Sequence, residues 1–231
     1  MHIPDGFINA GTSGAAGVVA VVGLGICVRK TADQLDEQQV PLAGLVAAFI
    51  FAVQMLNFPV ASGTSGHLLG GVLAAVLVGP YLGALCISVV LVVQALLFAD
   101  GGLSALGLNI VNMALVTAFG GYALFWVVRK VAPRTKAAVA AASGVAALLA
   151  VPLAAAAFTV EYAIGGTGGA SVGRVAGAMI GVHLLIGIGE AVITALAVSA
   201  VLASRPDLVH GARDVVPVLD LRPSPVTEAV R

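Results

Sequence analysis

Along this chain the apolar residues come in unbroken blocks rather than in the alternation of a half-buried strand or the three-four rhythm of a surface helix. Residues 10–28 form a Gly/Ala/Val-rich run long enough to cross about 30 Å of hydrocarbon. Arg29-Lys30, Asp33, Asp36 and Glu37 interrupt it before a second block over 41–58, which Pro59 is expected to end. Some thirty apolar residues follow from His67 to Ala99, broken only by Gly79-Pro80. Further blocks cover 104–128, 137–160 and 174–203. The pattern predicts an all-α integral membrane protein with about seven transmembrane helices, provided that 67–99 divides into helices over 67–78 and 80–99.

Charge favours that division. With a turn at Gly79-Pro80, ten of the eleven basic residues fall on one side of the membrane, all but Arg174. Left as one helix, the stretch would place Arg29-Lys30 and the cluster Arg129-Lys130-Arg134-Lys136 on opposite sides. The positive-inside rule therefore predicts seven spans, with the N-terminus outside and the C-terminus cytoplasmic. Residues 1–203 read as one transmembrane domain with a polar N-terminal segment, 1–9. Residues 204–231 read as a polar cytoplasmic tail expected to be poorly ordered. No basic stretch precedes the first apolar run, so it is expected to be retained rather than cleaved as a signal peptide.

Composition agrees. Of 231 residues, 60% are hydrophobic and 10% charged, against about 25% charged in soluble chains. Twenty-nine glycines suit closely packed membrane helices. Zero net charge excludes a nucleic-acid partner, and the bilayer is the expected surroundings. Cys27 and Cys86 lie in apolar runs and read as packing residues. No lysine follows a glycine, so no phosphate-binding Gly-x-x-x-x-Gly-Lys loop exists, and the chain is expected not to be an enzyme.

The candidate chemistry lies at the very start, Met1-His2-Ile3-Pro4-Asp5-Gly6. The Met1 amine, the deprotonated His2 amide and His2 Nδ1 can close two fused chelate rings on a divalent ion, of five and six atoms. That puts three nitrogens in one plane. A fourth nitrogen would complete a square, the geometry that favours Ni(II) or Cu(II) over Zn(II). The candidate is His67, in the glycine-rich run Gly63-Thr64-Ser65-Gly66-His67-Leu68-Leu69-Gly70-Gly71, on the same side of the membrane as Met1 in the seven-span reading. The bland readings are an outer tail that begins Met-His and a loop histidine bonded to backbone.

Met1–Gly6 together with Ser65-Gly66-His67 resembles the signature of the CbiM/NikM family, and the likeness extends through His183 to Glu190. The resemblance implies the substrate-binding component of an energy-coupling factor importer, with Co(II) or Ni(II) as transported substrate, in a bacterial cell membrane. It implies a transmembrane coupling component, two ABC-type ATPase subunits and a small accessory membrane subunit as partners. It assigns the metal to the Met1 amine, the His2 amide and imidazole, and the His67 imidazole.

Asp5, Asn57, Ser65, His183 and Glu190 are candidates for support around that site. Asp5 could accept a hydrogen bond from the ligating imidazole, and Asn57 and Gln94 could buttress the loop carrying His67. His183 and Glu190, seven residues apart, share one helix face, and ionisable residues there usually point into the bundle. They read either as a hydrogen-bond clamp between helices or as gating groups. Gln54, Asn109 and Asn112 read as interhelical hydrogen-bonders. Two rival functions are a self-sufficient secondary metal carrier and an intramembrane metallohydrolase built on His67, His183 and Glu190. The first would usually carry several carboxylates near the midplane, where only Glu190 stands; the second needs three protein ligands and an open position.

Overall fold

Gly79-Pro80 divides the long apolar stretch as expected. In the computed structural model, which describes residues 1–33, 39–56, 58–59 and 65–216 (only the backbone of 58, 59 and 65), Gly79 takes a positive φ of 91°. A side chain would strain that turn, and Pro80 then opens the next helix at its first position, where its missing N–H costs no hydrogen bond. Helix α3 (Gly71–Val78) ends there and α4 (Pro80–Leu97) begins.

Around this pair stand α1 (Ala10–Ala32), α2 (Gln39–Gln54), α5 (Leu106–Val131), α6 (Lys136–Gly165) and α7 (Val172–Ser204). Five of these helices, α1 and α4–α7, are long and apolar enough to cross a membrane. At 16 residues α2 spans about 24 Å, and α3 at eight residues about 12 Å. The seven apolar blocks thus become seven helices among the described residues, two of them shorter than the hydrocarbon core. Helix α5 carries a π-helical stretch over Val111–Gly120, in which the Thr117 hydroxyl donates to the Met113 carbonyl (2.5 Å).

All eight residues of α3 are buried, so this shortest helix is the pillar of the bundle. The flanking α1 buries only Ser13, Ala20 and Cys27, spaced seven apart on one stripe, and turns its valines outward. The most extensive helix pairing is α6 against α7.

Three expectations need correction. Helix α2 ends at Gln54, before the expected 58, because Phe58 precedes a proline, which favours extended backbone; Phe58–Pro59 (β1) pairs antiparallel with Ser65–Gly66 (β2). His67 does not start α3 but precedes it, outside any helix or strand, with Gly70 (φ 79°) turning into the helix. Within the segment expected to be a poorly ordered tail, residues up to Val216 fold back in two 3-10 turns, Pro206–Leu208 and His210–Ala212; its remainder, 217–231, lies outside the described residues. Burial of Val209 and Ala212 and the ring contact of His210 with Tyr122 (5.8 Å) hold it at the Gly79 end of α3.

Candidate metal centre

The N-terminal segment is not a free tail. Ile3 donates its N–H to Asn109 Oδ1 (2.8 Å), and its carbonyl accepts from the Gly102 amide (2.8 Å) and Asn109 Nδ2 (3.3 Å). The Thr167 hydroxyl donates to the Gly6 carbonyl (2.6 Å), and Ile8 bridges Gly166. Asn9 then caps α1 by accepting from the Thr12 amide (2.9 Å). Gly102 has to be glycine, because a Cβ there would collide with Asp5. Met1, His2 and Ile3 are consequently buried, at 1%, 3% and 0% exposure.

His67, fully buried, meets His2 there: His67 Nε2 lies 3.0 Å from His2 Nδ1. The outer nitrogen of each ring is already engaged. His67 Nδ1 donates to the Leu68 carbonyl (2.7 Å), and His2 Nε2 donates to Gln94 Oε1 (3.1 Å). In the neutral tautomers that keep those two bonds, both facing nitrogens present lone pairs. Asp100 Oδ1 approaches the same His2 Nδ1 at 3.1 Å. Acceptors converging in this way repel unless a cation, a proton or a metal ion, lies between them.

The electrostatics suit a metal ligand set. Burial lowers the Met1 amine to about 4, against the pull of the Asp100 carboxylate, so at neutral pH it carries a lone pair. Burial, with the neighbouring amine and His2 adding to it, holds the His67 imidazole well below its ordinary value. Among the described residues no group of three or more His, Cys, Asp or Glu side chains is arranged to hold a metal by itself. A site here has to draw donors from the backbone as well, which the amine and amide of the first two residues can supply.

The supporting residues are placed differently from one another. Glu190, at mid-length of α7, accepts from the Leu69 amide (2.7 Å) and the Gly70 amide (2.9 Å), and so clamps the chain just after His67. Gln54 donates to the Leu69 carbonyl (2.8 Å). His183 is buried, with Nδ1 bonded to the Met179 carbonyl of its own helix (2.7 Å) and Nε2 without a hydrogen-bond partner among the described residues. Asp5 does not reach the imidazole: its Oδ1 accepts from the Ser104 amide (2.8 Å) and hydroxyl (2.5 Å). Those bonds, the hydroxyl's first, keep its carboxyl below the usual range. Asn57 lies outside the described residues, and Ser65 is placed only as backbone in β2.

Sequence reasoning missed Asp100, and missed that Gln94 and Asn109 hold residues 2 and 3. The available signal was polarity at the ends of apolar spans. Partner identity, at separations of 92 and 106 residues, depends on helix rotation.

Known proteins place the architecture. The family model described as "CbiM: Cobalt uptake substrate-specific transmembrane region" matches residues 2–208. A protein of Archaeoglobus fulgidus, provisionally named a fused nickel transport protein NikMN, is 39% identical over 210 residues, covering 91% of this chain and 68% of that one. The cobalt transport protein CbiM of Sorangium cellulosum is 33% identical over 215 residues, covering 90% and 94%. The crystal structure of a truncated transition metal transporter superposes with a TM-score of 0.82 at 30% identity, covering 88% of this chain and 99% of that one. With its apolar helices, this is a multi-pass cell-membrane protein and a component of cobalt or nickel uptake. The chain belongs to the CbiM family of cobalt-uptake transmembrane proteins.

Proposed function

We propose that this chain captures Ni(II) or Co(II) in a square-planar, all-nitrogen site. The donors are the Met1 amine, the His2 amide nitrogen and Nδ1, and His67 Nε2. The observation that carries the reading is the 3.0 Å approach of His2 Nδ1 to His67 Nε2, with the outer nitrogen of each ring bonded to another partner. Metal–nitrogen bonds of about 2.0–2.1 Å put neighbouring corners of a square about 2.8–3.0 Å apart, which that separation fits. Four nitrogens, one an anionic amide, offset the hydration that a dication loses on entering a buried site.

In this reading the chain is the substrate-binding component of an ATP-driven energy-coupling factor importer. Its N-terminus lies outside and its C-terminus in the cytoplasm, and residues 1–203 act as one transmembrane unit of seven spans. Two ATPase subunits, a transmembrane coupling component and a small accessory membrane subunit complete the machine. The missing phosphate loop supports external ATPases, and the one-sided distribution of basic residues supports the orientation. His183 and Glu190 act around the site rather than on the ion; Glu190 is already committed to two backbone amides.

The test uses purified full-length chain of verified N-terminal mass, titrated with Ni(II) while the visible spectrum is followed. A planar Ni(II) spectrum at one equivalent is expected. One glycine inserted between Met1 and His2 enlarges the first chelate ring and should abolish high-affinity binding. Unchanged affinity in that variant, or in chain whose amine is formylated or acetylated, would sink the site.

A further inference from the structure

At the end of the bundle away from Met1, the last two turns of α5 and the folded-back segment enclose a cleft of about 550 Å³. Its lining includes Trp126, Arg129, Lys130, Arg134, Arg213 and Asp214. Four cations face one carboxylate, and that carboxylate is taken: Arg129, half of an ion pair with Asp214 (2.7 Å), also donates to the Pro133 carbonyl (2.8 Å). Arg129 is thereby held nearly buried as a floor, while Lys130, Arg134 and Arg213 stand exposed around the rim. This is also the C-terminal end of a helix, whose carbonyls repel anions, so the side chains have to supply the attraction.

The neighbouring surface of α5 says what kind of anion fits. Trp126 and Val131 are 55% and 88% exposed, and Val127 is exposed beside them. Lys130 Nζ sits 3.7 Å over the Trp126 ring. Aromatic and basic residues so placed mark the boundary between hydrocarbon and head groups. A cationic cleft thus opens directly onto an apolar helix face.

We propose that this cleft binds the phosphate of an anionic phospholipid, with Arg134, Arg213 and Lys130 on the phosphate and an acyl chain lying along Trp126, Val127 and Val131. The apolar strip favours a lipid over free phosphate, although either presents the same anion. The site lies at the opposite end of α3 from His67 and does not depend on the metal reading.

Trp126 is the chain's single tryptophan, so its fluorescence reports on the cleft directly. Full-length chain in mixed micelles is titrated with brominated phosphatidylglycerol or brominated phosphatidylcholine, whose bromines quench the indole. Phosphatidylglycerol should quench at the lower mole fraction. The double variant Arg134→Gln, Arg213→Gln should raise its midpoint about 25-fold, roughly fivefold for each charge removed, and leave the phosphatidylcholine curve unchanged. Both side chains are exposed, so these changes spare the core. If millimolar inorganic phosphate reverses the phosphatidylglycerol quenching, the phosphate site stands but its ligand is soluble; if it does not, the lipid is the ligand. Equal quenching by both lipids, or an unshifted midpoint in the variant, would overturn the proposal.

Discussion

At one end of α3, His67 and His2 face each other behind residues that are almost wholly buried; at the other, Arg134 and Arg213 stand exposed around an open cleft. The first end is crowded with buried acceptors, the second with exposed donors. An ion gripped by inner-sphere bonds has to shed its water, and only a preformed buried nest of lone pairs offsets that loss. A phosphate held by exposed cations keeps much of its hydration, so geometry there can be loose and each charge counts little. The fully buried helix α3, about 12 Å long, stands between the two ends.

If that contrast is right, single substitutions should be severe at the closed end and mild at the open one. The largest effect belongs to His67→Ala. It deletes the one donor that comes from outside the first two residues, and the remaining tridentate chelate is open to water. The loss of Ni(II) affinity, read by competition with a coloured chelator, should exceed the 10–100-fold that losing an outer partner typically costs. Unchanged affinity would remove His67 from the site and erase the contrast.

How much of this was legible beforehand follows from the same physics. The apolar blocks, the turn at Gly79-Pro80 and the pairing of His2 with His67 could all be read, because hydrocarbon thickness, a proline and a chelate are local or compositional constraints. The support was legible only as polarity. Asn109 and Gln94 stood out as polar groups within or at the ends of spans, and Asp100 did not; the targets of all three on residues 2 and 3 depend on how helices rotate against one another. The return of residues 206–216 was hidden for another reason. Its anchors, Val209 and Ala212, are two of a few apolar positions scattered among prolines and charges, with no helical or strand periodicity to mark them, and the packed end of α3 gives them a surface.

Next in size comes the clamp. Glu190→Ala leaves the Leu69 and Gly70 amides buried without an acceptor, at about 1–3 kcal/mol each. Glu190→Gln keeps an acceptor for one of them and should cost about half as much. The expected reading is a lower Tm in detergent for Ala than for Gln, with stoichiometric Ni(II) still bound at saturation in both. Loss of the metal from folded Glu190→Gln would move the carboxylate from the chain onto the ion and put the closed site deeper in the bundle.

The smallest effect lies at the open end. Burial, with Arg213 adding to it, holds His210 at about 4, below its ordinary 6.5, and Tyr122 is the other titratable group packed on its ring. Docked, the imidazole is neutral between those two values; undocked, it takes a proton. Docking of 206–216 is therefore fully stable above about pH 6.5 and weakens as pH falls toward 4. His210 is partly exposed, so solvent screening cuts the effect to at most about tenfold. Hydrogen exchange at the Ala212, Val215 and Val216 amides, which are bonded to the Val209 and Ala212 carbonyls, should speed up by that factor between pH 7 and 5 beyond the intrinsic change. In His210→Gln the extra acceleration should vanish. Its persistence there would mean that Asp214 or another group controls the fold-back, and that the open end is set by its ion pairs rather than by a buried ring.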